Sequence, residues 1–443
     1  MLEKTFASTL RVPRKTRRAL WIALLWLVAA ISVGGIALFV KAGWDTDVYW
    51  NAVQSVGRGG DPYADGIAAQ LAYHRPDRPT EDDHILWTFV YSPLLLPLLR
   101  VLAWFPGWLL GALYGGAVVA GFLLQLWAAC RLATVQERRW LVWLLPFAVF
   151  FPGLLNDYVI LGGNIAFILY GLVLVAAVSG WQRNRWLWFY LAVLLASIAK
   201  APMLTLLAFP LLVGKRQWLP ASITGASGCL LFAAPAFLWP AQFKEFLLGI
   251  SLQYEYSHGF GFSPSGVVGR WLWDMRRPYS SAFTITYLVW AIALGSLLLA
   301  VGSYVRRHPH LRELWIPVAL VGTILMSPRL MDYDDTPLTI PLLLIAWRCL
   351  QLGGRHLARC KAGRNAASAQ TQLQSLCGDA STLTLGIIGA GIFVAVNALD
   401  FLGGPRVPLE LVVLLLGLSS GLWSLHRMGD TYSLEIPREL SSD

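Results

Sequence analysis

Long apolar runs alternate with short polar joints along almost the whole chain. The runs cover residues 20–40, 109–130, 140–154, 160–179, 186–214, 218–238, 282–304, 313–327, 335–350, 383–399 and 408–425. A helix that crosses the hydrocarbon core of a bilayer needs about 20 such residues, and most of these runs approach that length. The pattern therefore predicts an all-α, polytopic membrane protein with about 12 spans, the run 186–214 crossing twice.

The polar joints are of two kinds, which alternate along the chain. Arg and Lys fill one kind, as in 131–139 and 306–312, whereas Asp and Glu are common in the other, as in 45–83 and 245–274. Basic joints collect on the cytoplasmic side of a membrane, so the alternation predicts a topology. It gives one membrane domain, 1–443, with a cytoplasmic N-terminus 1–19, outward loops 41–108 and 239–281, and a cytoplasmic tail 426–443.

The basic and acidic joints alternate only if two of the apolar stretches do not make a single crossing of the membrane. Residues 86–104 contain several prolines and Arg100, which favours a re-entrant or interfacial helix over a crossing. Residues 186–214 have basic joints at both ends, so we expect this stretch to enter the membrane and return. The sequence Lys200-Ala201-Pro202 lies at its centre and predicts the break.

Composition supports a membrane protein and excludes several other classes. Hydrophobic residues make up 56% of the 443 and charged residues only 14%, well below the share of about 25% in soluble proteins. The net charge of +10 comes from clusters between runs, which argues against nucleic-acid binding. The cysteines show no metal-type spacing, and no nucleotide-loop, zinc-protease or serine-hydrolase motif is present. Asp332, Asp334 and Asp335 could hold a cation, but such a cluster is more typical of a solvated loop, so we expect no metal or cofactor.

Two carboxylates follow the first apolar run at the edge of the membrane. Asp45 and Asp47 stand two residues apart, where partial loss of water would raise the pKa of a carboxyl group and make it a better general base. The alternative is that both simply cap or solvate a helix end.

Lys200 is the second informative residue, because an ammonium group inside an apolar run is costly. Such a group is usually retained for a ligand phosphate or for a structural ion pair. Both interpretations remain open from the sequence.

Six short motifs occur in an order that is similar to a known family. They are Asp45-x-x-Val48-Tyr49-Trp50-x-Ala52, Gly60-Asp61-Pro62-Tyr63, Tyr91-Ser92-Pro93-Leu94, Gly162-Gly163-Asn164, Lys200-Ala201-Pro202 and Ser327-Pro328-Arg329. Over residues 41–345 this set resembles glycosyltransferase family 87, whose members are GT-C enzymes that use polyprenyl-phosphate sugars and include alpha-1,2-mannosyltransferases. Gly163, Pro202 and Arg329 depart from the usual pattern of the family.

The resemblance implies a GT-C helical bundle and a role for each matching residue. Asp45 would be the general base, with Asp47 as the alternative, in an inverting transfer of a sugar, by family default mannose, to a glycolipid or glycan on the outer side of a bacterial inner membrane. The remaining candidates are Lys200, Arg270 and Arg329 for the donor phosphate, and Tyr49, Tyr63, Tyr91, Asn164 and His258 for the sugar or lipid groove.

Two other functions remain possible. A transporter or lipid flippase would also keep an intramembrane charge such as Lys200, but the two halves of the chain show no clear repeat. A glycan ligase or polymerase would use paired arginines in a late loop, and Arg276-Arg277 in 239–281 would fit.

Overall fold

The computed structural model describes residues 23, 43–73, 88–135, 137, 138, 141, 162–214, 217–257, 260–362 and 406–435. Within these ranges the secondary structure is helical, and no strand is assigned. The predicted run 383–399, and nearly all of 20–40 and 140–154, lie outside the described residues, as does the tail beyond 435. The prediction of about 12 spans therefore rests on the sequence for these segments.

The helices of the first half are short around 41–108 and longer after it. They are α1 Trp44–Gly57, α2 Pro62–Tyr73, a 3₁₀ turn Pro93–Leu95, α3 Leu96–Leu102, α4 Gly107–Cys130, α5 Ala166–Arg183, α6 Leu187–Ala199, a 3₁₀ segment Ala201–Leu207 and α7 Ala208–Val213.

The second half of the chain contains both long and short helices. They are α8 Trp218–Leu238, α9 Pro240–Ser257, α10 Pro264–Asp274, α11 Ser280–Arg307, a 3₁₀ turn Pro309–Leu311, α12 Arg312–Leu325, α13 Asp332–Asp335, a 3₁₀ turn Thr336–Leu338, α14 Thr339–Ala362 and α15 Arg406–Glu435.

Four of the described helices, α4, α5, α8 and α11, are long and apolar enough to cross a membrane. Their outward faces carry large apolar side chains, such as Leu113 on α4, Leu230 on α8 and Ile292 on α11, each more than 60% exposed. A surface of this kind is typical of helices that face lipid rather than water. The chain is therefore an all-helical membrane protein.

Helices α4 and α5 pack closely because glycines face each other where they cross. A Cβ atom at Gly121 would lie 2.5 Å from the carbonyl oxygen of Phe167, and one at Gly171 would lie 2.5 Å from that of Gly121. Small residues let two helix backbones approach in this way. The contact brings Tyr114 of α4 beside the loop that precedes α5, where its hydroxyl donates to the Gly163 carbonyl at 2.7 Å.

The stretch 186–214 folds back on itself at Lys200, where the sequence predicts a break, while its path into and out of the membrane stays a prediction. Helix α6 ends at Ala199, Lys200 has an extended backbone, and the chain continues through the 3₁₀ segment into α7. The two ends of the stretch lie side by side, since Tyr190 donates to Gln217 at 2.9 Å and the rings of Trp186 and Phe209 lie 6.1 Å apart. Lys200 is therefore at the tip of a helical hairpin.

The buried apolar side chains form two clusters that meet near this tip. The larger cluster spans α4 to α8, α11, α12, α14 and α15, and Tyr114 and Tyr333 pack against it. The smaller one joins α1, α2, α3 and α9, and Tyr49 and Tyr91 pack against it. The stretch 86–104 belongs to the smaller cluster, and its helical part, Pro93–Leu102, is too short to cross a membrane.

Candidate active site

Asp45 lies in the first turn of α1, next to a glycine that starts the helix. Gly43 has a left-handed backbone (φ +88°), and its carbonyl oxygen accepts from the Asp47 amide at 2.7 Å. The sequence places Asp45 after the end of the first apolar run, which lies almost wholly outside the described residues, and the structure adds that Asp45 begins the helix that follows. Asp45 is partly buried and Asp47 is exposed, so the two carboxylates have different environments.

Asn164 connects the loop before α5 to Asp45. The Asn164 side chain is buried, and its Oδ1 accepts from the Ala166 amide at 2.9 Å. Because Oδ1 takes part in that bond, the amide nitrogen is the atom of Asn164 that can donate to a carboxylate. The Asn164 side chain is hydrogen-bonded to the Asp45 carboxylate. Asn164, which the sequence offered as a groove residue, is therefore a direct neighbour of the candidate base.

Gly163 allows this loop to approach α1. It has φ +70°, and a Cβ there would lie 2.3 Å from Thr46 Oγ1. Only glycine avoids both the strain and the collision. The Gly163 that departs from the usual family pattern therefore has a local reason in this chain.

A cluster of tyrosines closes one side of the site. The hydroxyls of Tyr49 and Tyr91 share a hydrogen bond of 2.6 Å, and the Ile165 amide donates to Tyr49 at 3.2 Å. The Tyr49 ring also meets Tyr114 edge to face at 5.4 Å. Burial raises the pKa values of Tyr49 and Tyr91 well above the ordinary range. Both phenols therefore stay protonated and can serve as hydrogen-bond donors.

Lys200 pairs with a buried carboxylate from a distant part of the chain. Its ammonium group binds Asp334 Oδ1 and lies 4.3 Å from the centre of the Tyr333 ring. The Asp334 side chain is 2% exposed, and its Oδ2 accepts from the Met331 amide at 3.1 Å. Lys200 also interacts electrostatically with Asp45 and Arg329. The ion pair that the sequence left open is therefore present, and it lies beside the candidate base.

The loop that carries Asp334, residues 327–335, is fixed by the start of α10 and the residues just before it. Ser263 and Ser265 donate to the Pro328 carbonyl at 2.6 and 2.7 Å, and the Phe262 amide donates to the Leu330 carbonyl at 2.8 Å. Within this loop the Arg329 guanidinium lies 5.5 Å from the centre of the Tyr254 ring. These contacts hold the loop opposite the hairpin tip.

The environment of Asp45 suits a proton acceptor. Burial raises the pKa of its carboxyl group from 3.8 to about 6, while the hydrogen bond from Asn164 and the positive charge of Lys200 pull the pKa the other way. A carboxylate with a pKa near 6 is largely ionised at neutral pH yet basic enough to take a proton.

Not all of the predicted residues belong to this group. Tyr63 has no exposed surface, and its hydroxyl donates to the Tyr91 carbonyl at 2.6 Å, so it supports Tyr91 from within the smaller cluster. Arg270 is exposed on α10, and none of its described contacts reaches the Asp45 group. His258 lies outside the described residues.

Three members of the site were missed or misjudged in the sequence. Asp334 looked like part of a solvated loop, but it is buried against Lys200. Tyr114 and Tyr333 gave no signal beyond a polar ring in or beside an apolar run. The sequence offered one hint for Asp334. It lies in an acidic joint, and such joints are expected on the outward side of the membrane, where the break at Lys200 is also expected. No group of three or more His, Cys, Asp or Glu among the described residues is placed to hold a metal ion.

The comparisons with known proteins now add the family. The profile of glycosyltransferase family 87 matches residues 89–328, which is more than half of the chain. The chain belongs to glycosyltransferase family 87. Neither a curated protein nor a solved structure matches it.

Membership of glycosyltransferase family 87 makes the chain a membrane glycosyltransferase, in agreement with the apolar helices. The matched range contains Tyr91, Asn164 and Lys200, but it begins after Asp45 and ends before Arg329. The assignment of roles to Asp45, Arg329 and Asp334 therefore depends on the geometry of this chain.

Proposed function

We propose that this glycosyltransferase moves a sugar from a polyprenyl-phosphate donor to an acceptor hydroxyl, with inversion and with Asp45 as the general base. The observation that carries the proposal is a group of side chains in which Asp45, a carboxylate of raised pKa, interacts electrostatically with Lys200, which in turn interacts with a second cation, Arg329. A base and a phosphate-binding pair are the two parts that such a transfer requires.

The reaction can be written from these residues. Asp45 accepts the proton of the acceptor hydroxyl, whose oxygen forms a bond to the anomeric carbon of the sugar. The bond from that carbon to the phosphate oxygen breaks, and its electron pair leaves with the polyprenyl phosphate. Lys200 and Arg329 stabilise the negative charge that develops on the leaving phosphate. Attack from the face opposite the phosphate inverts the anomeric carbon.

The charges in the site agree with an anionic lipid donor. Lys200 and Arg329 offer positive charge to the phosphate of such a donor, and Asp334 is already paired with Lys200. Tyr49 and Tyr91 remain protonated donors beside Asp45 and can bind hydroxyl groups of a sugar. None of this chemistry requires a metal ion.

The location follows from the same reasoning. A lipid-linked donor keeps its sugar at the membrane surface, and only a base close to the membrane plane can meet an acceptor there. From loop charge we expect Asp45 on the outer side and both termini inside, and the resemblance to the family implies a bacterial inner membrane. Mannose is the first sugar to test, and a glycolipid or glycan is the expected acceptor.

The test is transfer by purified protein from a panel of donors. The panel contains polyprenyl-phosphate mannose, galactose, glucose and arabinose, with the nucleotide-linked form of each sugar as a matched control. We expect transfer from at least one lipid-linked donor and none from the nucleotide forms. Transfer from nucleotide sugars only would contradict the proposal. Movement of a lipid across reconstituted vesicles, without transfer from any donor, would favour a flippase instead.

A further inference from the structure

Asp334 occupies a position that the proposed chemistry does not explain by itself. Its carboxylate is almost fully buried and makes two contacts. Oδ1 pairs with the Lys200 ammonium group, and Oδ2 accepts from the Met331 backbone amide at 3.1 Å. A buried carboxylate is costly unless it is paired and hydrogen-bonded. Both requirements are met here, so the group is a built feature of the site.

We propose that Asp334 is a positioning residue that fixes the Lys200 ammonium group at the hairpin tip so that it meets the donor phosphate. This inference rests on the proposed function, because it needs an anionic donor at Asp45. It assigns a role to a residue that touches Lys200 and not the substrate.

The backbone around Lys200 shows why an anchor is needed. Lys200 follows the last residue of α6 and has an extended conformation, with φ −139° and ψ 86°. A lysine side chain has four flexible bonds, so its ammonium group does not hold one position unless it is bound. Asp334 and the Tyr333 ring, 4.3 Å away, bind it from the loop 327–335.

The loop that supplies Asp334 is itself firmly held. Asp334 donates its amide to the Met331 carbonyl at 2.7 Å, and the start of α10 and the residues just before it bind the same loop through Pro328 and Leu330. The anchor is therefore fixed through α10 and α12, and α12 itself packs against the hairpin, where Trp315 donates to the Leu212 carbonyl at 3.3 Å.

Lys200 can bind a phosphate without leaving Asp334. An ammonium group carries three protons, and one of them goes to Asp334. If Lys200 moved away to a phosphate, Asp334 would remain buried without its partner, which is strongly unfavourable. The two anions are therefore expected to share the ammonium group, and Asp334 to set its direction.

The alternative is that Asp334 competes with the phosphate for Lys200. The two ideas differ in the sign of one measurement. If Asp334 competes, its removal would tighten phosphate binding. If Asp334 is an anchor, its removal lets Lys200 turn towards Asp45, and phosphate binding becomes weaker.

The experiment measures the affinity of the detergent-solubilised protein for undecaprenyl phosphate, which needs neither the sugar nor turnover. We expect Asp334→Asn to bind at least about tenfold more weakly than the wild type, the cost of one charge-assisted hydrogen bond. Lys200→Met should lose a similar factor, and the double variant should lose no more than either single one. Equal or tighter binding by Asp334→Asn would overturn the proposal.

The control for a merely structural effect is Glu137→Gln. It removes the carboxylate from another buried ion pair, that with Arg348, where the contacts measure 2.7 and 2.8 Å. We expect this variant to lose thermal stability but to keep the wild-type affinity for undecaprenyl phosphate. A parallel loss of affinity in Glu137→Gln would mean that general destabilisation, and not positioning, explains the Asp334 result.

A second variant covers the case in which Asp334→Asn does not fold. Asp334→Glu keeps the charge but moves it by one methylene, so it should fold and bind undecaprenyl phosphate severalfold more weakly. Wild-type affinity in this variant would overturn the positioning role. If the wild type itself does not bind undecaprenyl phosphate, the donor class of the proposed function is wrong, and the role of Asp334 falls with it.

Discussion

At the scale of single residues, burial decides what Asp45 can do. The raised pKa of about 6 comes from the loss of water around the carboxyl group, and Asn164 and Lys200 keep the pKa from rising further. Asp47, two residues away on the same helix, is exposed. The difference between these two acids follows from the direction in which the first turn of α1 points them.

The first prediction concerns pH. Below about pH 6 Asp45 becomes protonated and cannot accept a proton, so kcat/KM should fall by about tenfold for each further pH unit. Steady-state kinetics between pH 4.5 and 8, roughly the range that brackets this pKa, would measure the acidic limb. A profile without such a limb would show that no group with this pKa controls turnover.

The second prediction concerns Asn164. Asn164→Ala removes the hydrogen bond that stabilises the Asp45 carboxylate, and bonds to charged groups contribute about 1.5–3 kcal/mol. The acidic limb should therefore move upward by about one pH unit or more. The same pH profile checks this, with Asp47→Asn as the control that should leave the limb in place. An unchanged limb in Asn164→Ala would argue that the two side chains do not interact in the working enzyme.

At the scale of elements, the site is assembled by turns and loops held between helices. The loop before α5 reaches α1 because Gly163 has no side chain, and the hairpin tip reaches the loop 327–335 through Lys200. The helices supply the support, and their ends supply the chemistry.

The third prediction concerns Gly163. Gly163→Ala combines a strained left-handed backbone, at about 1–2 kcal/mol, with a collision against Thr46 Oγ1. It should displace the loop from α1. Activity should therefore fall by more than the loss of thermal stability alone would explain. The matched control is Gly59→Ala, because Gly59 also has a positive φ (+77°) but nothing lies within 4 Å of its added Cβ. Equal activity in the two variants, measured together with thermal unfolding, would contradict the role of this contact.

Local sequence predicted several of these elements well. Lys200-Ala201-Pro202 predicted the break between α6 and the 3₁₀ segment that follows it. That signal depends on neighbouring residues only. The stretch 86–104 was recognised as unsuited to a simple crossing because prolines interrupt it.

Long-range pairing was beyond the sequence for a physical reason. Asp334 is 134 positions from Lys200, and its burial depends on how the loop 327–335 packs, which no local pattern records. Arg270 is exposed on α10, and its assignment to the donor phosphate stays a prediction. Tyr63, a candidate for the sugar or lipid groove, is fully buried and packed against Phe89 and Phe246.

At the scale of the whole molecule, a second ion pair fixes the end of the bundle that carries basic joints. Glu137 accepts two hydrogen bonds from Arg348, and Arg348 also donates to the Leu132 carbonyl at 3.2 Å and to that of Glu313. This group joins the end of α4 to α12 and α14. Loop charge predicts that it lies on the cytoplasmic side, away from Asp45.

The fourth prediction follows from this pair. Its side chains are only 10% and 5% exposed, so Glu137→Gln leaves a buried guanidinium group without its partner and should cost about 3–5 kcal/mol. Thermal unfolding in detergent would show the loss. Replacement of both residues by apolar ones, Glu137→Leu with Arg348→Met, should recover most of the stability. A double variant less stable than Glu137→Gln would mean that the pair contributes more than mutual neutralisation.

The central claim of the account is that one carboxylate, Asp45, takes the proton from the acceptor. The most direct measurement is the single-turnover rate of sugar transfer by Asp45→Asn, beside Asp47→Asn in the same preparation and with donor binding shown to be intact. Because a general base contributes about 10²–10⁴-fold, Asp45→Asn should be slower than the wild type by that factor. Asp47→Asn should remain within about threefold of the wild type, as expected for an exposed acid away from the chemistry. Transfer by Asp45→Asn at the wild-type rate, or loss of transfer in Asp47→Asn alone, would contradict the account.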